Sequence, residues 1–220
     1  MINKRVLLLC GHYGSGKTNI AVNLAHQIKR EYPTVTLADL DIVNPYFRSK
    51  DSAPELEEAG IRLICSRYAN SNVDIPALPP DLYALTDDCQ MRAIIDVGGD
   101  DRGALVLGRL APAILSENDY EMLMVINCYR PLTRDAASTI EVMREIEAAG
   151  GIRFTALINN SNLGAETTAE DVLASVGYAK EVAAMSNLPL VMTTADERLQ
   201  DELKGKIPNL FPLKLQKKIQ

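Results

Sequence analysis

The stretch "GHYGSGKT", Gly11 to Thr18, follows directly on the apolar run "RVLLLC" and leads into a segment of helical period. An apolar strand that ends in a glycine-rich turn and reopens as a helix admits few folds. Gly11, Gly16, Lys17 and Thr18 satisfy G-x-x-x-x-G-K-[ST] in the strand–loop–helix setting the pattern requires. Glycines let successive backbone N–H groups turn inward around phosphate, and the helix N-terminus adds a favourable dipole. Lys17 is expected to reach the β- and γ-phosphates and the Thr18 hydroxyl to ligate Mg2+. The candidate nucleotide-binding segment is thus Gly11, His12, Tyr13, Gly14, Ser15, Gly16, Lys17 and Thr18, against the alternative of a chance glycine-rich turn.

The rest of the chain alternates short apolar runs with longer helical patterns, which signals βαβ units. The runs are "RVLLLC", "TVTLADL" from Thr34, "IRLIC" from Ile61, "RAIIDV" from Arg92, "EMLMVIN" from Glu121, "RFTALIN" from Arg153 and "LPLVMT" from Leu188. Most are continuously apolar, as strands covered on both faces are. Helical patterns run from Lys17 to Arg30, with Ile20, Leu24, Ala25 and Ile28 on one stripe, and from Thr133 to Ala149, stopped by Gly150 and Gly151. A third begins at "TTAED", where Thr167 and Glu170 have capping-box spacing. The Pro-rich "SNVDIPALPPDL" at 71–82 reads as a surface excursion. These patterns predict an α/β fold, a doubly wound and mostly parallel sheet flanked by helices, in a single domain over residues 1–220.

Composition narrows the class of protein. With 47% hydrophobic and 24% charged residues the chain can bury a full core, and no stretch approaches the roughly 18 to 20 apolar residues of a membrane span. The start, "MINKRVLLLC", reads as a first strand rather than a leader, because the glycine-rich loop follows at once. Cys10, Cys65, Cys89 and Cys128 lack CxxC spacing, which argues against a zinc or iron–sulfur site and fits reduced thiols in a cytoplasmic protein. The net charge of −6 disfavours nucleic-acid binding. Residues 204–220 hold five lysines and no acids, and read as a short, solvated basic tail.

Acidic residues recur where a phosphate loop needs them. "LADLD" ends the second strand with Asp39 and Asp41, two apart and on one side of an extended chain. "IIDVGGDD" ends another with Asp96, ahead of Gly98 and Gly99, which let the chain swing toward or away from a γ-phosphate. Such a carboxylate can hold a metal through water. The bland reading of either is an Asp capping the turn after a strand.

Together, "GHYGSGKTNIAVNLA", "DLDIVNP" and "DVGGD" resemble the MinD/ParA group within the SIMIBI class of P-loop NTPases. The resemblance covers residues 5–48 and 92–103 and extends at fold level through the C-terminal strands. It implies that Asp41 orients the attacking water and that Asp39 and Asp96 are metal-associated with Thr18. In "LINNSNLG", Asn159 and Asn162 take the first and fourth places of the N-K-x-D base-recognition pattern. The last place is Asp in guanine-specific relatives; an amide at Asn162 removes that anchor and favours ATP. The alternative is that both asparagines cap a polar loop. Group members usually carry an extra loop lysine that acts across a nucleotide-sandwich dimer. Here His12 and Tyr13 stand at that place and the next. Either His12 is a shorter, weaker cation with a catalytic part, or it merely lines the loop while Tyr13 packs on it. Arg102 and Arg130 are other candidate sources of the charge, and Arg48 follows the first switch region.

The resemblance implies an ATP- and Mg2+-dependent hydrolysing switch, catalysed through Lys17, Asp41 and His12, that regulates or assembles a partner protein and pairs as a nucleotide-dependent homodimer. The alternatives are a small-molecule kinase or carboxylate-activating synthetase, with the excursion at 71–82 as substrate lid, and a nucleotide-binding adaptor of low turnover. A membrane tether through "LFPLKLQKKIQ" is disfavoured, because Pro212 interrupts a short apolar face.

Overall fold

The computed structural model describes residues 3–40, 52–65, 80–88, 90–99 and 101–215. Asp41, Arg48, Cys89 and the Pro-rich stretch through residue 79 lie outside the described residues, as does the Arg102 side chain.

Each apolar run becomes a strand: β1 (Val6–Cys10), β2 (Val35–Asp39), β3 (Arg62–Cys65), β4 (Arg92–Asp96), β5 (Tyr120–Ile126), β6 (Ala156–Asn159) and β7 (Leu190–Asp196). An eighth, β8 (Leu210–Leu213), lies within the stretch expected to be a solvated tail. It pairs with β7 from Thr193↔Leu210 to Asp196↔Leu213 and buries Leu213. Short length, an internal Pro212 and surrounding lysines mask its pattern. The sheet order is β3-β2-β4-β1-β5-β6-β7-β8, with every neighbouring pair parallel.

Helices cover both faces, because both faces are apolar. α1 (Lys17–Lys29) and α2 (Ala53–Glu58) close over Leu7, Leu9, Leu37, Ile94 and Val125. The predicted stripe holds: Ile20, Leu24 and Ala25 are buried and Ile28 packs against the same cluster. Burying each such aliphatic side chain is worth about 1.5–3 kcal/mol. On the other face, α4 (Asp101–Glu117), α5 (Ala136–Gly150) and α6 (Ala169–Ser186) cover Leu8, Ile95, Met122, Met124 and Ile126. α3 (Pro80–Asp87) adds Leu82 and Leu85 to that cluster, and α7 (Gln200–Leu203) belongs to a smaller one with Val172 and Ile207.

Two helix starts differ from expectation. Thr133 ends a 3-10 turn and α5 begins after Asp135, whose side chain accepts from Ser138 N. The capping box of α6 pairs Thr168 with Asp171, one residue beyond the expected Thr167 and Glu170. Thr167 instead donates its hydroxyl to Gly164 O at 2.6 Å, which turns the chain into the helix.

Buried Arg5 ties the lower end of the sheet together. Its guanidinium donates to the carbonyls of Leu85, Asp88 and Met91 and pairs with Glu117, fastening the ends of α3 and α4 to β1.

Candidate functional site

The sheet order places the site. From β1 the chain moves toward β2 and β3, whereas from β5 it moves toward β6, β7 and β8. Loops leaving the carboxyl ends of β1 and β5 therefore diverge, and ligands bind in such crevices. The Gly11–Gly16 loop lies there, with Gly11 at φ 146, Gly14 at φ 74 and Gly16 at φ 91. A Cβ on Gly11 would lie 2.4 Å from Val125 O, and one on Gly16 would lie 2.1 Å from Asn160 Nδ2. Only glycine fits either position.

Residues from other loops turn the loop carbonyls outward. Arg130 Nε donates to Gly14 O at 2.9 Å and Asn160 Nδ2 donates to Ser15 O at 2.6 Å. Ser15 N closes a turn onto His12 O at 3.1 Å. With carbonyls held outward, the intervening N–H groups are left to the concave side, which is how a loop cradles an anion. Helix α1 fits the same purpose. It has no side-chain cap and no acidic residue in its first turn, whereas α5 and α6 are both side-chain capped. Its open N–H groups are free for phosphate. Buried Ser15 Oγ has no partner within the loop either. Lys17 Nζ folds back to Gly11 O at 3.0 Å and His12 O at 3.4 Å, bonds that phosphate oxygens can replace.

The acidic side of the site is equally built. Thr18 Oγ1 donates to Asp96 Oδ2 at 2.6 Å, deep beneath the loop. Asp39 and Asp96 are register partners across β2 and β4, both buried, on the sheet face that α1 covers. A hydroxyl and two carboxylates make a hard-oxygen donor set of the kind that suits Mg2+. Gly99 sits against the loop, where a Cβ would come within 2.6 Å of Tyr13 N.

His12 is partly buried and bonds its Nδ1 to Tyr13 O at 3.0 Å. Burial holds its imidazole below the ordinary range; the bond to Tyr13 opposes that, and the positive charges of Lys17 and Arg130 add to it. The net effect favours the uncharged ring. Tyr13 is 50% exposed at the rim.

A cavity of about 430 Å3 runs from Gly14, Lys17 and Arg130 to Asn162, Asp196 and Leu213. Asn162 lines it, though its amide donates to Asn160 O at 2.7 Å and its Oδ1 accepts from Gly164 N. Asn159 lies outside that lining: buried, it donates to Ser175 Oγ at 2.9 Å and accepts from Ser161, fixing the loop to α6. The asparagine between them, Asn160, joins the phosphate loop to β7 by accepting from Thr194 Oγ1 at 2.6 Å. Asn127, at the end of β5, holds the same region by accepting from Asn162 N and Tyr129 N. Sequence reasoning passed over Asn160 and Asn127; their signal is an asparagine directly beyond each of two neighbouring apolar strands.

Cys10 and Cys128 are free thiols, and the described residues contain no group of three His, Cys, Asp or Glu side chains able to hold a metal. No helix among them is long and apolar enough to cross a membrane.

No protein-family model and no curated protein sequence matches the chain. Solved structures do. Cell division protein FtsY from Thermotoga maritima superimposes with a TM-score of 0.63 at 18% identity, over 90% of this chain and 64% of that one. Signal recognition particle receptor FtsY from Elizabethkingia anophelis, in complex with GDP, gives 0.53 at 18% identity, over 91% and 60%. The signal recognition particle 54 kDa protein from Aeropyrum pernix K1, also with GDP, gives 0.52 at 18% identity, over 86% and 41%. The chain spans less than two thirds of the length of each. These neighbours belong to the SIMIBI class of P-loop proteins. At this level of identity the likeness carries the architecture alone, a parallel sheet flanked by helices that matches the α/β fold of P-loop proteins.

Proposed function

We propose that this protein is an ATP-binding, Mg2+-dependent molecular switch that hydrolyses its nucleotide and changes its affinity for a protein partner. The contact between Thr18 and Asp96 carries the reading. It links the phosphate loop directly to the strand end that precedes Gly98 and Gly99, so a change at the phosphates reaches the segment that follows. Thr18 and Asp96, with Asp39 through water, would hold the ion, which supplies charge neutralisation at the β- and γ-phosphates. Lys17 exchanges its loop carbonyls for phosphate oxygens, and the outward-held carbonyls of Gly14 and Ser15 keep the cradle open. Asp41 is proposed to orient the water that attacks the γ-phosphorus, releasing ADP, inorganic phosphate and a proton.

ATP is preferred because Asn162 offers no carboxylate to a guanine edge. Two neighbours hold GDP, so guanine is the reading to be beaten. A protein partner is in keeping with neighbours named for a particle and its receptor. A His12 that burial pushes toward its uncharged form favours slow intrinsic turnover, which is the adaptor reading.

Calorimetric titration with ATP, GTP, ADP and GDP, with and without Mg2+, tests the proposal, beside phosphate release and light-scattering mass. Tighter, Mg2+-dependent ATP binding that Lys17→Ala abolishes supports it. Preferential GTP binding would replace the base assignment, and binding without phosphate release would leave the adaptor.

A further inference from the structure

The loop after β5 brings a second cation to the phosphate loop from within the same chain. Arg130 follows the turn beyond β5 in extended conformation, and its backbone is fixed on both sides: its N–H donates to Asn127 O at 3.2 Å and its carbonyl accepts from Thr133 N at 3.1 Å. The following Pro131 stiffens the turn. The side chain lies flat over Gly14, where a Cβ would come within 3.4 Å of Nε and 3.5 Å of Cζ. Nε is committed to Gly14 O at 2.9 Å. Among the described residues neither terminal nitrogen of the guanidinium has a hydrogen-bond partner, and Arg130 lines the same cavity as Lys17. A planar guanidinium anchored through Nε presents its other donors in a fixed fork, the geometry that suits phosphate oxygens.

We propose that Arg130 is the second fixed cation of the nucleotide site, holding the phosphate loop through Gly14 and offering its terminal nitrogens to the triphosphate in cis. This rests on the nucleotide-site reading above and goes beyond it by assigning the charge to this chain rather than to a paired subunit. His12 does not compete for the role, since its Nδ1 is engaged by Tyr13 O and its ring lies beside two cations. The cation's effect is greatest where negative charge is greatest, so it discriminates triphosphate from diphosphate. Arg130 Nε also keeps Gly14 O turned out, so a lysine at this position restores charge without restoring the fork.

The test is the ratio of ADP to ATP dissociation constants, with single-turnover phosphate release, for wild type, Arg130→Lys, Arg130→Ala and Lys17→Ala. Arg130→Ala is expected to lower the preference for ATP threefold or more and to slow phosphate release about 10- to 100-fold. Guanidinium at low, non-denaturing concentration should return part of the rate to Arg130→Ala and leave the wild type unchanged. Arg130→Lys should fall between wild type and Arg130→Ala. A preference for ATP within threefold of wild type in Arg130→Ala overturns the proposal, because a residue that only props the loop weakens both nucleotides alike. The two readings fail differently. If the wild type binds neither nucleotide, or Lys17→Ala binds as well as wild type, the nucleotide site itself is refuted.

Discussion

Asn160 Nδ2 donates to Ser15 O across 2.6 Å, joining the end of β6 to the phosphate loop over 145 residues of sequence. Both residues are buried, so the carbonyl has no water to fall back on. Asn160→Asp puts a carboxylate oxygen where the amide donated. Leaving that buried group unsatisfied costs about 1–3 kcal/mol. The expected outcome is a lower urea midpoint together with weaker ATP binding. Unchanged affinity in Asn160→Asp would show that the loop keeps its shape without the clamp.

Asp96 is a fully buried carboxylate whose Oδ2 accepts from Thr18. A charge kept in such a place serves function at the expense of stability. Asp96→Asn is therefore expected to match or exceed the thermal stability of the nucleotide-free wild type while losing the effect of Mg2+ on ATP affinity. Melting curves and titrations in Mg2+ and in chelator check both halves. An Mg2+ effect of full size in Asp96→Asn would remove Asp96 from the metal site.

Arg5 satisfies the carbonyls of Leu85, Asp88 and Met91 together with the Glu117 carboxylate. Its loss leaves several buried acceptors at once. Arg5→Leu is expected to cost about 3–5 kcal/mol in denaturant unfolding. Arg5→Lys should recover only part, because a point charge cannot serve a fork of four partners. The cluster lies at the opposite end of the strands from the loop, so ATP affinity of the folded fraction should stay at the wild-type value.

Glu121 carries a sealed oxygen, Oε2, with no hydrogen-bond partner. Burial raises its carboxyl above the ordinary value, against the opposing charge of Lys4. A carboxyl raised by folding stabilises the protein below its unfolded value and loses that contribution as pH rises through the folded one. Glu121→Gln is expected to raise Tm at pH 7 and to match wild type near about pH 4. Melting curves at the two pH values decide it; equal gains at both would place the cause in packing rather than in ionisation.

The sequence made the sheet legible because strands buried on both faces are mostly continuous apolar runs, and seven of the eight strands fall on a short apolar run, the partly exposed β3 among them. β8 escaped because a half-buried edge strand of four residues needs no long apolar run, and its lysine-rich surroundings imitate a solvated tail. α4 escaped for a different reason. It begins two residues past Gly98 and Gly99 and contains Pro112, both of which read locally as helix breakers, while its burial of Leu107, Leu110 and Ile114 supplies the stability they deny. In the site, Thr18 donates to Asp96, and Asp39 is the register partner of Asp96 across β2 and β4, so the loop and the two strand ends named from the sequence lie together. Asn159 shows the limit of pattern reading. Its place in the motif is right for a base contact, yet its amide is committed to Ser175. Hydrogen bonds to backbone carbonyls, such as those of Arg130 and Asn160, leave no spacing signature, because the carbonyl is present on every residue.

Gly14 and Leu215 line one cavity although nearly the whole described chain separates them. The wall that Leu213 and Leu215 provide exists only once β8 has paired with β7, and β7 has its place through β6 and β5 beside β1. A nascent chain that has emerged only as far as β7 thus carries the glycine-rich loop without the Leu213 and Leu215 wall of its cavity. On the proposed reading, nucleotide binding would follow the pairing of β8 with β7, and the stabilisation a ligand brings would fall to the sheet that includes it.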